Sequence, residues 1–149
     1  DITDAGYMCI GDSLGDKKFD ENSSDWNESS LREYLNNEFY EKIAREVGRE
    51  NIISSKRNLL SLDGQTEYGE SDDFVSLLTV DEYRKYRKLI PNTGDWWWLV
   101  TPWSTPCNEY SKTVTVVSPS GLIDYYSCDY CGVVRPVCIF SSSIFESEE

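Results

Sequence analysis

The sequence predicts an α+β domain in which early helices pack on a twisted antiparallel sheet, and three observations predict this class. The run WWWLVTP at 96–102 is apolar on both faces of a strand, so we expect it to be a covered central strand. Helical patterns lie before residue 90, whereas strand patterns dominate after residue 95. Short turns join these late strands, which favours hairpins over the alternating order of parallel sheets.

The tryptophan run defines the expected core. Trp96 and Trp98 should share one face of the strand, and Trp97 and Leu99 the other. Pro102 should end the strand, because proline cannot donate to a hydrogen-bond ladder. Each indole carries about 150–250 Å² of surface, which is costly to leave in water. This strand is therefore expected to be the spine of the domain.

Length, composition and charge restrict the class of protein. The chain of 149 residues has the length of one domain, expected over 1–149 with a frayed polar tail at 141–149. Its 39% hydrophobic and 13% aromatic content predicts a folded core. The net charge of −13 disfavours nucleic acid and anionic membranes as partners, and no apolar run is long enough to insert into a bilayer. The oligomeric state and the compartment are not indicated.

The first half of the chain is expected to hold most of the helix. The predicted elements are a strand at 7–11, a loop at 12–25, helices from 30 and over 38–47, a strand from 52 and extended chain at 57–62. Ser30 and Glu33 have capping-box spacing, Asn36-Asn37 is expected to break the first helix, and Gly48 suits the end of the second.

The remaining segments complete the predicted sheet. They are an exposed loop at 63–73, a strand at 74–78, a helix at 82–89 after a capping box at 79–82, a turn at 91–94, and strands at 113–117, 122–126 and 132–140. The first two of these late strands form a hairpin around Ser118–Gly121, and Pro136 bends the last one or places it at an edge. The expected sheet contains 96–101, 113–117, 122–126 and 133–140.

Binding is favoured over catalysis. The chain has no histidine, the commonest general base and metal ligand, and it carries no phosphate-loop, dinucleotide or hydrolase motif. Asp95 and Asp124 lie nearest the aromatic stretches, but no spacing marks a catalytic pair. We expect no enzyme activity, no cofactor and no metal. Calcium held by residues 12–16 or 67–73 is a lesser alternative to solvated loops.

The five cysteines, at 9, 107, 128, 131 and 138, cannot all pair within one chain, because their number is odd. A zinc site needs four converging ligands, and a thioredoxin-like pair needs a helix N-terminus, whereas Cys128 and Cys131 lie between apparent strands. A disulfide between Cys107 and Cys131 is a further alternative. Unpaired small side chains are the favoured interpretation.

Tyrosine, serine, asparagine and aspartate concentrate on loops beside the late strands. This mixture is typical of recognition surfaces supported by a rigid scaffold. The candidate ligand-binding residues are Trp103, Ser104, Thr105, Asn108, Tyr110, Tyr125, Tyr126, Ser127, Cys128, Asp129, Tyr130 and Cys131. The competing interpretation is that these tyrosines are buried core residues.

Several blocks together resemble a bacterial family. The blocks are WNESSLREYLN at 26–36, LLTVDEY at 77–83, WWWLVTP at 96–102, SPSG at 118–121 and GVVRPV at 132–137. They are similar to that family's W-x-x-S-x-L-R-x-W-L-N, L-L-S-x-x-E, W-W-L-R-S-P-G, V-x-S-D-G and G-V-R-P-A. The family resembles C-type-lectin-like folds of the formylglycine-generating-enzyme type. Some of its members are the variable proteins of diversity-generating retroelements in phages and their bacterial hosts.

This resemblance implies a C-type-lectin-like ligand-binding domain displayed on a phage or bacterial surface, with a protein or cell-surface ligand. Val100 stands where the family often has Arg, and Trp103 where it often has Gly, so Val100 joins the candidate binding residues. Residues 125–131 use only types reachable from Asn codons by changing adenines. The alternatives are a carbohydrate-binding or glycan-processing domain and a structural module of a phage tail or cell-surface protein. The E-P-N and W-N-D motifs of calcium-dependent sugar binding are missing.

Overall fold

The computed structural model describes residues 6–145. The strands are β1 Gly6–Ile10, β2 Asp16–Lys18, β3 Ile52–Ile53, β4 Ser55–Asn58, β5 Glu70–Asp73, β6 Val75–Ser76, β7 Trp97–Pro102, β8 Thr113–Val117, β9 Ile123–Ser127, β10 Cys131–Val133 and β11 Val137–Ser141. The helices are α1 Ser30–Tyr34, a π-helical turn Leu35–Phe39, α2 Tyr40–Val47 and α3 Val80–Lys85. Short 3₁₀ turns lie at Trp26–Glu28, Arg49–Asn51, Arg87–Leu89, Pro106–Asn108 and Ser142–Phe145.

The strands form three sheets, and the fold is α+β. The first sheet has the order β2-β10-β7-β8-β9. In the second, β11 pairs with β1, β3 and β6, and in the third β4 pairs with β5. Every strand pair is antiparallel except β10 with β7, which meet in parallel at Val133 and Trp97. The predicted helices before residue 90 are confirmed, and so is the antiparallel pairing of β7 with β8 and of β8 with β9. The parallel pair of β10 with β7 departs from the expected antiparallel sheet.

The tryptophan strand β7 lies in the centre of its five-stranded sheet, as predicted, and all six of its residues are buried. Trp98 packs with Phe19 and Trp26 on one face of the sheet, and partly buried Trp96 lies on the same side. Trp97 and Leu99 pack on the opposite face, where the edge of Tyr83 meets the indole of Trp97. The expected division of the four side chains between two faces is confirmed.

Close packing accounts for the position of Trp98. Its indole N–H donates to the carbonyl of Lys17 on β2 at 2.8 Å, so the buried ring leaves no polar atom unpaired. The ring lies against Gly132 on β10, where a Cβ atom would come within 2.8 Å of the indole nitrogen. Only glycine therefore permits β10 to approach the ring this closely.

The last predicted strand is divided between two sheets, which corrects the expected sheet. Cys131–Val133 joins the tryptophan sheet, whereas Val137–Ser141 pairs with β1 in the second sheet. Pro136 lies in the connection, and its carbonyl accepts a hydrogen bond from Gly11 at 2.7 Å. Because proline has no N–H to donate, the ladder is interrupted there and the chain crosses from one sheet to the other.

Two predicted loops contain strands. The loop at 12–25 includes β2, which pairs with β10, and the loop at 63–73 includes β5, which pairs with β4. Asp73 on β5 is buried, and its carboxylate accepts from the indole of Trp26 at 2.8 Å and from Arg32 at 2.7 Å. The expectation of an exposed, mobile segment over 63–73 is wrong at its C-terminal end, because this carboxylate is a buried partner for two helical side chains.

The first helix is not broken at Asn36-Asn37. Its N-cap is Ser29, one residue before the expected position, and the helix continues through the π-helical turn into α2. The Asn36 amide N–H₂ donates to the carbonyls of Arg32 and Val75, and its oxygen accepts from the backbone of Phe74 and Val75. Asn36 therefore serves as a hydrogen-bonding partner for β6 instead of ending the helix.

Other predicted boundaries shift by a few residues. The strand at 113–117, the Thr79–Glu82 capping box and Gly48 at the end of α2 are confirmed, Gly48 having a φ of 90°. The helix expected at 82–89 is a short α-helix followed by a 3₁₀ turn, and of the strand expected at 74–78 only β6 is paired. In the segment expected to be a frayed tail, β11 ends at Ser141 and a 3₁₀ turn covers Ser142–Phe145, whereas residues 146–149 lie outside the described part of the chain.

Replacing Asn36 with alanine should destabilise the fold strongly. The change removes four hydrogen bonds, including those to the backbone of Phe74 and Val75, whereas the Arg32 carbonyl still accepts from the N–H of Leu35. We expect a loss of about 2–3 kcal/mol in the free energy of unfolding, measured by urea denaturation.

The matched control is Asn37→Ala, because Asn37 is exposed and its amide makes a single hydrogen bond to the carbonyl of Glu33. We expect that variant to lose less than about 1 kcal/mol. Equal losses for the two variants would contradict the role assigned to Asn36.

Candidate functional site

Four of the residues predicted to bind a ligand are buried: Ser104, whose hydroxyl is bonded to Asp63, and three that lie in or beneath the core. Val100 lies in the central strand β7, Thr105 lies beneath the loop that follows it, and Cys128 follows β9 in the main core cluster. Burial raises the pKa of the Cys128 thiol to about 11. Val100, Thr105 and Cys128 present no surface to a ligand, so their inclusion in the binding face is corrected.

The other predicted residues do not form one continuous face. Tyr125 and Tyr126 are neighbours on β9, and successive strand side chains point to opposite faces of a sheet. Tyr126 stacks on Trp96 with ring centroids 5.1 Å apart and meets the edge of Tyr130 at 5.6 Å. Tyr125 instead packs on Trp103 at 4.6 Å. The sheet thus separates two aromatic surfaces that were expected to form one binding face.

The Tyr126 cluster consists of Trp96, Tyr126 and Tyr130. The turn between β9 and β10 carries the exposed Asp129 and Tyr130, and the exposed Cys131 begins β10. The hydroxyl of Ser127 donates to Asp129, and this hydrogen bond lowers the pKa of that carboxyl group. Tyr126 also packs on Trp98 of the core. The rings of Tyr126 and Trp96, two of the three in the cluster, are therefore supported by the main core cluster.

A groove of about 290 Å³ lies on the other side, at the end of β7. We call it the Asp63 groove. It brings together four of the predicted residues, with two others that sequence reasoning had missed. Its lining residues are Leu62, Asp63, Trp103, Ser104, Asn108 and Tyr110. Tyr125 extends the aromatic wall, because its ring packs on that of Trp103.

The carboxylate of Asp63 is held in place by three side chains. Ser104 donates to Oδ2 at 2.6 Å and the Asn108 amide donates to the same oxygen at 3.0 Å. The hydroxyl of Ser61 donates to Oδ1. The pKa of Asp63 is lowered, chiefly by the hydrogen bonds from Ser104 and Ser61, because these donors favour the charged form. The groove therefore contains an oriented, ionised carboxylate.

Two tight turns build this groove. In the first, Gly64 has a φ of 90° and the N–H of Leu62 donates to the carbonyl of Pro102 at 2.9 Å, which docks the turn on the end of β7. In the second, Glu109 adopts a left-handed φ of 63° and the N–H of Tyr110 donates to Thr105 at 3.1 Å. Both turns are tied to the strand or to themselves by backbone hydrogen bonds, so the groove is preformed.

The charge of Asp63 has no cationic partner. Among the ion pairs of residues 6–145, none includes Asp63, and none of the residues lining the groove is basic. Glu67 contacts Cys107, which precedes Asn108 in the second turn, and Glu109 follows it. The surroundings of the groove are thus acidic, in keeping with the net charge of −13.

Sequence reasoning missed Leu62 and Asp63 because it assigned them to extended chain and to a solvated loop. Serine, aspartate and glycine at 61–64 do signal a turn. No local pattern shows that this turn reaches the end of a strand some 40 residues later in the chain.

A second groove of about 340 Å³, between β4 and α3, is lined by Arg57, whose guanidinium pairs with Glu82 at 3.1 Å.

All five cysteines are free, in agreement with the favoured interpretation. Within residues 6–145, no group of three or more His, Cys, Asp or Glu side chains is placed to hold a metal ion. In that same part of the chain, no helix is both long and apolar enough to cross a membrane. Comparison of the chain with protein-family profiles, with curated proteins and with solved structures found no match in any of the three.

The cysteines should differ sharply in reactivity. In the folded protein at pH 8, iodoacetamide should label the exposed Cys131 fastest, because the thiolate is the nucleophile and must be accessible. Cys107 is also exposed, but its hydrogen bond to Glu67 raises its pKa, so it should react more slowly than Cys131. Cys128 and Cys138 are buried, and burial raises their pKa to about 11 and about 12. We expect the labelling of these two thiols, followed by peptide mass spectrometry, to be at least ~10-fold slower than that of Cys131.

The control for this labelling is the same reaction in urea, where all five thiols should react alike. Rapid modification of Cys128 in the folded protein would show that its thiol is accessible, which would contradict its placement in the core.

Proposed function

We propose that this chain is a non-enzymatic ligand-binding domain of the C-type-lectin-like class that takes a protein or cell-surface ligand in the Asp63 groove. The observation that carries the proposal is the convergence there of Trp103, Ser104, Asn108 and Tyr110 around one oriented carboxylate. The resemblance to variable proteins of diversity-generating retroelements supports a role in recognition at a phage or bacterial surface.

The architecture of the groove supports binding. Ligand sites are typically concave and combine aromatic surface with a few placed polar groups. Trp103 and Tyr110 supply the aromatic surface, whereas Asp63, Ser104 and Asn108 supply polar groups in fixed positions. Because hydrogen bonds already hold these groups, little conformational entropy is lost when a ligand binds.

The position of the groove also fits a scaffold with interchangeable recognition residues. Tyr110, Asn108 and Trp103 lie on the loop after β7, and Tyr125 lies on the edge strand β9. Substitutions at exposed positions of this kind alter the surface without disturbing the tryptophans beneath it. This separation is what a protein with varied binding residues requires.

Binding without catalysis is favoured by the acid–base groups of the groove. Asp63 is the single carboxylate among the lining residues, and its hydrogen bonds hold it ionised. Hydrolysis of a glycosidic bond commonly uses two carboxyl groups, of which one must be protonated to act as the acid. The groove offers neither the pair nor the protonated member.

Carbohydrate binding is the second candidate. Its support is the combination of the Trp103 ring with the Asp63 carboxylate and the Asn108 amide in one groove. An indole packs against the apolar face of a sugar ring, and carboxylate and amide groups hydrogen-bond to hydroxyls.

The proposal is tested with two probes, a random peptide library displayed on phage and a glycan array. We expect wild-type protein to enrich a set of peptides, and Trp103→Ala and Tyr110→Ala to weaken their binding at least ~10-fold, because aromatic anchors dominate interface energy. Binding is measured by biolayer interferometry.

The matched control is Tyr130→Ala, which removes an exposed tyrosine from the opposite cluster and should leave this binding unchanged. Loss of binding in Tyr130→Ala alone would move the site to the Tyr126 cluster and overturn the groove assignment. Groove-dependent binding to glycans without enriched peptides would favour the second candidate, and no groove-dependent binding to either probe would refute the proposal.

A further inference from the structure

We propose that the Asp63 groove recognises a cationic side chain of its partner, an arginine guanidinium above all. This inference rests on the proposed function, because it names the chemistry of the ligand that the groove takes. Its basis is the juxtaposition of an unpaired, oriented carboxylate with the rings of Trp103 and Tyr110 in an opening of about 290 Å³.

The carboxylate is available to a cation. Asp63 is exposed, and no basic side chain of residues 6–145 forms an ion pair with it. Its Oδ2 accepts from both Ser104 and Asn108, whereas Ser61 is the one side chain that donates to Oδ1. Each carboxylate oxygen has two lone pairs, so Oδ1 retains more capacity for an incoming donor than Oδ2. Charged donors to a carboxylate form stronger hydrogen bonds than neutral ones. An incoming N–H of a cation is therefore preferred to a neutral amide.

The aromatic wall adds to this preference. A cation above the face of a tryptophan or tyrosine ring is attracted by the negative face of the ring quadrupole, and the planar guanidinium also stacks on the ring. The chain uses the same contact internally, since the Arg135 guanidinium lies 4.8 Å from the ring of Trp97. In the groove, the rings of Trp103 and Tyr110 have no such partner among the lining residues.

Size and long-range charge agree with a single side chain as occupant. A groove of about 290 Å³ is at the lower limit of ligand pockets, so it holds one side chain rather than a large ligand. Leu62 offers an apolar surface for the methylene stem of arginine. Glu67 and Glu109 lie beside the same turn, and the net charge of −13 attracts basic partners from a distance.

The direct test uses acetyl-arginine amide and its neutral isostere acetyl-citrulline amide as probes of the wild-type protein. The readout is the chemical shift of the Trp103 indole N–H, assigned with Trp103→Phe. We expect saturable shifts in the millimolar range for the arginine probe, at least ~10-fold weaker binding of citrulline, and weaker arginine binding in high salt.

The variant Asp63→Asn should bind the arginine probe at least ~10-fold more weakly, because the charge is lost with little change in shape. Its matched control is Asp72→Asn, which removes one exposed acid from β5 outside the groove and should leave binding unchanged. Circular dichroism and the thermal midpoint establish that both variants are folded. If Asp63→Asn does not fold, the comparison of arginine with citrulline on wild-type protein decides the question.

Equal binding of arginine and citrulline, or arginine binding that Asp63→Asn leaves intact, would overturn this inference. The outcome is separable from that of the proposed function. If peptides or glycans bind through Trp103 and Tyr110 without needing a cationic group, the proposed function stands. In that case only the preference for a cation is refuted.

Discussion

The burial of Trp98 is the constraint on which the rest of the domain depends. Its indole fills the space between β2, β10 and the early helices, with its N–H bonded to Lys17 and its ring against Gly132. The cost of exposing so large an apolar surface forces strands on either side and a helical layer above. The neighbouring Trp97 must also be buried, on the opposite face of the sheet, where Arg135 and Tyr83 cover its ring. One strand thereby organises both layers of the core.

The helices are attached to this core by polar side chains that act as backbone partners. Asp73 joins Trp26 and Arg32, and Asn36 bonds to the backbone on both sides of Val75. Buried polar groups of this kind are favourable only when all their partners are present. They therefore specify one arrangement of helix against sheet, whereas apolar packing alone would accept several.

The rigid sheet also fixes the positions of the side chains in the Asp63 groove. Its loops are docked on the ends of β7 and β8 by Leu62 and Trp103, whose backbone N–H groups bond to Pro102 and Thr113. The polar groups of the groove are thus positioned by the sheet rather than by a ligand. The protein tolerates an unneutralised carboxylate there because Asp63 remains exposed to water, where the cost of a charge is small. An exposed carboxylate in a fixed position favours rapid association with a basic partner, which is the ligand chemistry that we propose.

Much of the fold was determined by the sequence alone, because the relevant forces are local. The alternation of Trp96–Leu99, the capping box at Thr79 and the turn at Ser118–Gly121 each act within a few residues, and each element was predictable. The crossing of the last strand into a second sheet and the docking of the Ser61–Gln65 turn on Pro102 were not, because their partners are far away in sequence. The sequence singled out candidate binding residues by their type, but it could not predict how they are arranged. Strand alternation placed Tyr125 and Tyr126 on opposite faces, and only long-range packing brought Asp63 to Ser104 and Asn108, since a side chain's neighbours across a sheet are set by the register of distant strands.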